Sequence, residues 1–201
     1  MGVGIDLEDL QRNGFPMGAE ELVALDLIDT LMTATDPVTD LLGSEERADT
    51  WWRLEMPRLP ESPEPDLAAT RRLRAALRDL FDAHLEGRAP RPTSIEDVNA
   101  IAASVPTSPR LGTNGTGETR WHTEHGGNPA LAAIAREAIA LLSDPERLMR
   151  LRRCANPTCS MLFLAETKRR QWCTSNICGN RVRVARHYHR THVTKDAQDE
   201  H

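Results

Sequence analysis

Four cysteines are the residues of this 201-residue chain with the clearest chemical potential. They are its only cysteines and follow the spacing Cys-x4-Cys-x13-Cys-x4-Cys: Cys154, Cys159, Cys173 and Cys178. Two thiol pairs separated by about the length of a hairpin suit a tetrahedral zinc ion. Four thiolates close the coordination shell, so we expect one structural Zn²⁺ and no chemistry at the metal.

Disulfide bonds are the other use these four thiols could have. The first residues show neither the charged nor the apolar segment of a secretory signal, and no apolar run approaches the roughly 18 residues that span a bilayer. We therefore expect a cytoplasmic protein with no membrane partner, in a reducing compartment where disulfides are rare.

Charge is distributed unevenly along the chain, although the formal net charge is only −5. Residues 1–149 contain 14 basic and 26 acidic residues, whereas residues 150–195 contain 11 basic residues and a single acid, Glu166. A basic module on an acidic body is typical of polyanion binding, although a basic segment that merely docks onto the body would look the same. We predict an acidic helical domain over 1–149, a basic four-cysteine finger over 150–195 and an acidic tail over 196–201.

The hydrophobic pattern predicts a mainly α protein, because aromatic residues make up only 4% and apolar residues recur at helical spacing. Helices are expected over 20–32, 45–56, 66–86, 94–105, 129–142 and 146–151. Asn114-Gly115 between polar flanks predicts one β-hairpin within 109–127. Glycine-rich residues 112–117 lack the Gly-Lys-Ser/Thr ending of a phosphate loop and favour that hairpin turn. The predicted fold is a multihelical domain with one hairpin, followed by a small treble-clef or ribbon-like finger.

Within the finger, the sequence predicts a knuckle (the tight turn that carries Cys154 and Cys159), a hairpin and a helix. Residues 161–164 read as one strand, 168–170 as the hairpin tip and 171–173 as the returning strand. A helix over about 177–190 should follow, capped by Thr174, Ser175 or Asn176. Val184 and Tyr188 would lie on its face toward the hairpin.

The motif Cys178-Gly179-Asn180-Arg181, preceded by Arg-Arg-Gln-Trp-Cys over 169–173 and by Phe163, resembles the CGNR zinc-finger family. This likeness covers about 40 residues. The segment Ala-Leu-Asp-Leu-Ile-Asp-Thr-Leu over 24–31 resembles the opening of the ABATE-type domain that precedes such fingers. The resemblance implies a bacterial stress-induced transcription regulator.

The basic residues of the finger are candidates for contact with nucleic acid: Lys168, Arg169, Arg170, Arg181, Arg183, Arg186, His187 and Arg190. On a helix, Arg183, Arg186 and Arg190 form one ridge, and guanidinium groups suit phosphate oxygens and guanine edges. Few aromatic residues are present to stack on single strands, which favours DNA over RNA. Asn180, beside a ligand, could read adenine, but an orienting hydrogen bond to the knuckle backbone is the interpretation we prefer.

We interpret the chain as a transcription regulator, not an enzyme, that binds DNA through the finger. Its helical domain would sense a small-molecule effector or form a homodimer, because one small finger offers little specificity. The alternative is a zinc-stabilised module that binds protein or RNA without reading DNA sequence. A third hypothesis, an enzyme, needs a pocket in the helical domain, for which Arg72, Trp121 and His122 are the candidates.

Overall fold

The computed structural model describes residues 6–16, 21–181, 183 and 184. The α-helices in this part of the chain are α1 (Leu7–Arg12), α2 (Val23–Asp29), α3 (Glu45–Glu55), α4 (Leu67–Glu86), α5 (Pro92–Ala103), α6 (Pro129–Leu142) and α7 (Pro145–Leu148). Short 3₁₀ turns span Met56–Arg58 and Thr123–His125, and a helical segment with π-type hydrogen bonds spans Ser175–Gly179. The mainly helical fold expected from the hydrophobic pattern is confirmed.

Three antiparallel hairpins complete the described architecture. Their strands are β1 (Leu31–Met32) with β2 (Thr39–Asp40), β3 (Thr107–Leu111) with β4 (Gly117–Trp121), and β5 (Leu151–Arg153) with β6 (Leu162–Leu164). The β3–β4 pair is the hairpin that Asn114-Gly115 predicts, with Pro109 opposite Thr119.

The longest helix, α4, shows how local sequence sets the helix ends. The Asp66 carboxylate accepts a hydrogen bond from the Ala69 N–H at the first turn. Gly87 ends the helix with φ of 65°, a left-handed conformation that glycine adopts without steric cost. Ser44 and Asn128 cap α3 and α6 in the same way as Asp66. These boundaries agree with the sequence to within a residue or two.

The main hydrophobic core lies between α2, α4, α5 and α6. Trp51 and Trp52 of α3 are fully buried in it, with their rings edge to face and centroids 4.7 Å apart. These two side chains therefore anchor the core. Trp121 is only partly buried and lies 4.9 Å from the Arg136 guanidinium.

Two predicted boundaries are wrong for physical reasons. The helix over 20–32 is shorter: α2 ends at Asp29, and Met32 belongs to the β1–β2 hairpin, in which the Leu41 N–H donates to the Thr30 carbonyl at 2.8 Å. The helix predicted over 94–105 begins earlier, at Pro92, because proline is favoured at the first turn of a helix, and Ser94 lies buried inside it.

Candidate metal centre

The first cysteine pair lies in the turn of the β5–β6 hairpin. Leu151 pairs with Leu164 and Arg153 with Leu162, and the Cys154 N–H donates to the Met161 carbonyl at 2.9 Å. The prediction that strand 161–164 pairs with 171–173 is wrong. The helix predicted over 146–151 is present as α7 but ends at Leu148, and Leu151 begins β5. The chain before the knuckle is extended and forms β5, which is the strand that pairs with β6, because Leu151 is buried in the main core.

The second cysteine pair lies around the start of the last helical segment. The Ala155 N–H donates to the Gln171 carbonyl at 2.9 Å, which ties the chain before Cys173 to the first knuckle. Thr174 caps the segment, and its Oγ accepts from the Cys178 N–H at 3.5 Å. The predicted cap is therefore present, and it presents Cys178 from a helical turn.

The four sulfur atoms converge on one point. All lie within 4.8 Å of one another, and the Sγ atoms of Cys159 and Cys173 are 3.8 Å apart. Ligands about 2.3 Å from a tetrahedral zinc ion lie about 3.8 Å from each other. The cysteines form no disulfide and three of them are buried. This soft, four-thiol donor set fits one structural Zn²⁺.

The protonation of these thiols also favours a cation at their centre. Hydrogen bonds from the Cys159 and Cys173 thiols hold the pKa of Cys154 far below its ordinary value. The same hydrogen bonds to Cys154 raise the pKa of Cys159 and of Cys173. Crowded thiolates repel one another, so one negative charge suppresses the next. A divalent cation removes that penalty and draws all four thiols to the thiolate form.

Asn156 is the polar side chain that supports the sulfur cluster. It is only 6% exposed, its Nδ2 lies 3.6 Å from the Cys178 Sγ, and its Oδ1 accepts from the Thr158 N–H at 3.2 Å. Sequence reasoning proposed Asn180 for this role, but the Asn180 side chain is exposed. Asn156 was recognisable only as a turn residue, because its approach to Cys178 depends on the folded hairpin.

The β5–β6 hairpin belongs to two cores at once. Leu151, Leu162 and Leu164 are buried in the main core of the helical body. Phe163, on the opposite face of β6, and Met161, which directly precedes this strand, pack in a second small core with the cysteines. Alternate residues of a strand point to opposite faces, so one short strand joins the metal centre to the helices.

A buried polar network reinforces this junction. The Leu162 N–H donates to both carboxylate oxygens of Asp29, at 3.0 and 3.1 Å. Arg78 of α4 donates to the Ser160 carbonyl at 2.7 Å, and the Ser160 Oγ accepts from the Thr33 N–H at 2.9 Å. At the rim, Arg153 pairs with Asp82 at 2.9 Å. Part of the positive charge of the finger is therefore used to hold it to the acidic body.

The basic residues proposed for nucleic-acid contact divide into three groups. Lys168, Arg169, Arg181 and Arg183 are exposed. Arg170 instead lies 4.4 Å from the Phe163 ring centroid and donates to the Leu164 and Cys173 carbonyls, at 3.2 and 2.7 Å. Arg186, His187 and Arg190 lie outside the described residues, as do Tyr188 and the tail over 196–201.

The last helical segment packs on the hairpin less extensively than its sequence pattern suggested. Ile177 contacts the small core beside the cysteines, but Val184 is 59% exposed. The packing of Val184 predicted from the helical row is therefore wrong. Arg181 and Arg183 are exposed, and the Arg183 guanidinium donates to the Ser175 carbonyl at 3.4 Å.

The residues named for an enzyme pocket make separate contacts. Arg72 pairs with Asp97 at 2.5 Å on the rim of a groove of about 460 Å³, which is not lined by Trp121 or His122. The His122 Nε2 forms a hydrogen bond with the Ser108 Oγ at 2.9 Å, and the His122 Nδ1 lies 3.1 Å from the Glu124 Oε1. Within the described ranges, the four cysteines are the one cluster suited to a metal.

The fold and the sulfur cluster define a helical protein that ends in a four-cysteine zinc finger. A family model described as "Putative stress-induced transcription regulator", ABATE, matches residues 21–145, and the CGNR zinc-finger model matches residues 150–191. The chain belongs to the ABATE family and carries a CGNR zinc finger. No curated protein matches this chain. None of the helices over the described residues has the length and hydrophobicity needed to cross a membrane.

Proposed function

We propose that this protein is a DNA-binding transcription regulator and that the zinc finger over 150–195 makes the DNA contact. The observation that carries the proposal is the exposed basic surface of the finger, formed by Lys168, Arg169, Arg181 and Arg183. These side chains project from a segment fixed by the cysteine cluster, and they can reach phosphates without breaking an internal ion pair that the structure describes. Arg186, His187 and Arg190 lie outside the described residues and stay candidates for the contact on the basis of the sequence.

Arg170 has a different role in this proposal. Its guanidinium is engaged by the Phe163 ring and by main-chain carbonyls, so it positions the turn that carries Lys168 and Arg169. Asn156 likewise supports the metal ligands from inside the finger. The contact surface therefore consists of the remaining basic residues.

Regulation would act through the β5–β6 hairpin. A small-molecule effector that binds one arrangement of the helical domain more tightly shifts the equilibrium toward that arrangement. Because Leu151, Leu162 and Leu164 are part of the main core, such a change alters the position of the finger directly. Homodimerisation would pair two fingers and multiply the specificity of each.

A salt titration with matched arginine variants tests the DNA contact. Each lysine or arginine that neutralises a phosphate contributes about −0.9 to the slope of log K against log salt for duplex DNA. We expect Arg183→Ala to weaken binding of the zinc-loaded protein to a random-sequence duplex and to reduce that slope by about 1. Arg53→Ala, which removes an equally charged, exposed residue of α3, serves as the control and should leave both quantities unchanged.

Three results would count against the proposal. An unchanged slope in Arg183→Ala and Arg181→Ala variants that still fold and hold zinc would remove the finger surface from the contact. Equal loss in the Arg53→Ala control would mean that net charge alone governs the interaction. Stronger binding to single-stranded RNA than to duplex DNA would favour the RNA-binding alternative.

A further inference from the structure

The β3–β4 hairpin is the most exposed regular element of the described chain. Residues along both strands are exposed, with partial burial only at Ser108 and Trp121 near its base. Leu111, at the far end, is 75% exposed. A two-stranded hairpin with little core contact is only marginally stable alone, and its edges are templates for pairing with another chain.

The two edges of this hairpin differ. The Gly112 N–H donates to the Thr116 carbonyl at 2.8 Å, and the His122 N–H donates to the Pro106 carbonyl at 2.9 Å. Hydrogen-bonded and non-hydrogen-bonded pairs alternate along an antiparallel ladder, so the pair formed by Pro109 and Thr119 is of the non-hydrogen-bonded kind. The main-chain groups of both residues therefore point outward.

On β3 the central outward residue is proline, which has no N–H to donate and blocks pairing along that edge. On β4 the outward residues are Gly117, Thr119 and Trp121, each with a donor and an acceptor. Across the described part of the chain, no hydrogen bond joins their N–H or C=O groups to another residue. The β4 edge can therefore pair with another strand, whereas Pro109 prevents such pairing along the β3 edge.

We propose that β4 is the interface of a homodimer, in which it pairs antiparallel with β4 of a second copy about a two-fold axis at Thr119. This pairing extends the homodimer of the proposed function by assigning its interface. It joins two hairpins into one four-stranded sheet and satisfies the outward N–H and C=O groups of both edges.

The charges on β4 select this register. With Thr119 opposite its own copy, Glu118 of each chain faces Arg120 of the other in a non-hydrogen-bonded pair, in which side chains approach most closely. A shift of the second chain by two residues in either direction places Glu118 opposite Glu118 or Arg120 opposite Arg120. Glu118 lies 4.0 Å from Arg110 of its own chain, whereas Arg120 makes no ion pair among the described residues, so in the dimer each Glu118 lies between two arginines. Two identical faces also satisfy the self-complementarity that a two-fold interface requires.

The remaining pair in this register is sterically compatible. Gly117 of each copy faces Trp121 of the other, and a Cβ built on Gly117 has nothing within 4 Å. An aromatic side chain beside a strand glycine covers its exposed backbone. Five residues from each chain form a small contact, so we expect a weak dimer with a Kd of about 100 μM.

Sedimentation of the 201-residue, zinc-loaded protein without DNA tests the interface. We expect the mean mass of the wild type to rise toward that of a dimer as the concentration increases. Thr119→Pro removes the central outward N–H and should leave a monomer. Thr107→Pro, which removes an equally outward N–H from the β3 edge, is the matched control and should dimerise like the wild type.

A charge variant covers the case in which the proline variant does not fold. Arg120→Glu places a second glutamate opposite Glu118 at both ends of the dimer contact and should weaken association about 10-fold. Arg53→Glu on α3 should have no effect. A wild type that stays monomeric at about 1 mM, or a dimer that survives both Thr119→Pro and Arg120→Glu, would overturn the proposal. Because no DNA is present, these outcomes are independent of whether the finger binds DNA.

Discussion

The Leu162 main-chain N–H donates to both carboxylate oxygens of Asp29, 133 positions earlier in the chain, at 3.0 and 3.1 Å. Asp29 ends α2 and Leu162 begins β6, so this buried contact joins the helical body to the strand that follows the first two zinc ligands. Arg78 lies 3.5 Å from Asp29 and compensates its charge. The finger is therefore part of the same packed structure as the helices.

Removal of zinc should destabilise the helical body as well as the finger. Without the metal the knuckle loses its constraint, and Leu151, Leu162 and Leu164 lose their fixed position in the main core. We expect Cys178→Ser, or treatment with a chelator, to lower the thermal midpoint of the helical circular-dichroism signal. A midpoint unchanged by loss of zinc would mean that the two parts are energetically independent.

Asn156→Ala should weaken zinc binding about 10- to 100-fold, because the side chain that supports Cys178 and orders the knuckle is lost. Asn180→Ala is the matched control, since Asn180 lies beside a ligand in sequence but is exposed. Competition with a chromophoric chelator measures both affinities. Equal losses in the two variants would contradict the role assigned to Asn156.

Arg170→Ala should lower the stability of the finger but leave the salt dependence of DNA binding unchanged. The variant loses the contact with the Phe163 ring and hydrogen bonds to main-chain carbonyls, which together contribute about 2 kcal/mol. We expect faster amide exchange around Cys173 and a salt slope like that of the wild type. A slope reduced by about 1 with unchanged exchange would place Arg170 on the DNA surface instead.

Loss of the Glu55 proton should make the helical domain less stable as pH rises toward neutrality. Burial raises its pKa to about 7, and although Arg58 opposes this effect, the charge of Glu137 adds to it. The folded state holds a proton that the unfolded state releases near pH 4.5, so stability falls between about pH 4.5 and about pH 7, by on the order of 3 kcal/mol.

Glu55→Gln should flatten this pH dependence, because an amide does not titrate. Glu46→Gln, an exposed change on the same helix, should retain it. Urea unfolding at several pH values measures the free energy of unfolding of each variant. Parallel pH profiles for the wild type and Glu55→Gln would show that another group carries the effect.

The sequence predicted the features that depend on local chemistry. Cysteine spacing identified the metal ligands, and the turn at Asn114-Gly115 and the cap at Thr174 followed from residue type. It failed where a distant contact decides the outcome. Leu151 forms a strand because it pairs with Leu164 across the hairpin and is buried in the main core. The residues around Leu151 in the sequence do not indicate this pairing.

The same limit applies to the basic residues. Arg169 and Arg170 are adjacent and identical in type, yet one is exposed and the other contacts Phe163 and nearby carbonyls. Likewise, Asn156 and Asn180 are both close to a ligand, but only Asn156 turns inward. Composition gives the charge of the finger, whereas packing determines which side chains remain available to a partner.

The central proposal, that this zinc finger reads DNA, is tested most directly by selection from random and genomic duplex fragments. The zinc-loaded wild type and the Arg181→Ala/Arg183→Ala variant are offered the same fragments at physiological salt, and the retained fragments are sequenced. We predict that the wild type enriches a common motif, with two-fold symmetry if the protein binds as a dimer, and that the variant loses this enrichment. Retention that enriches no motif, or enrichment that is identical in the variant, would contradict the proposal.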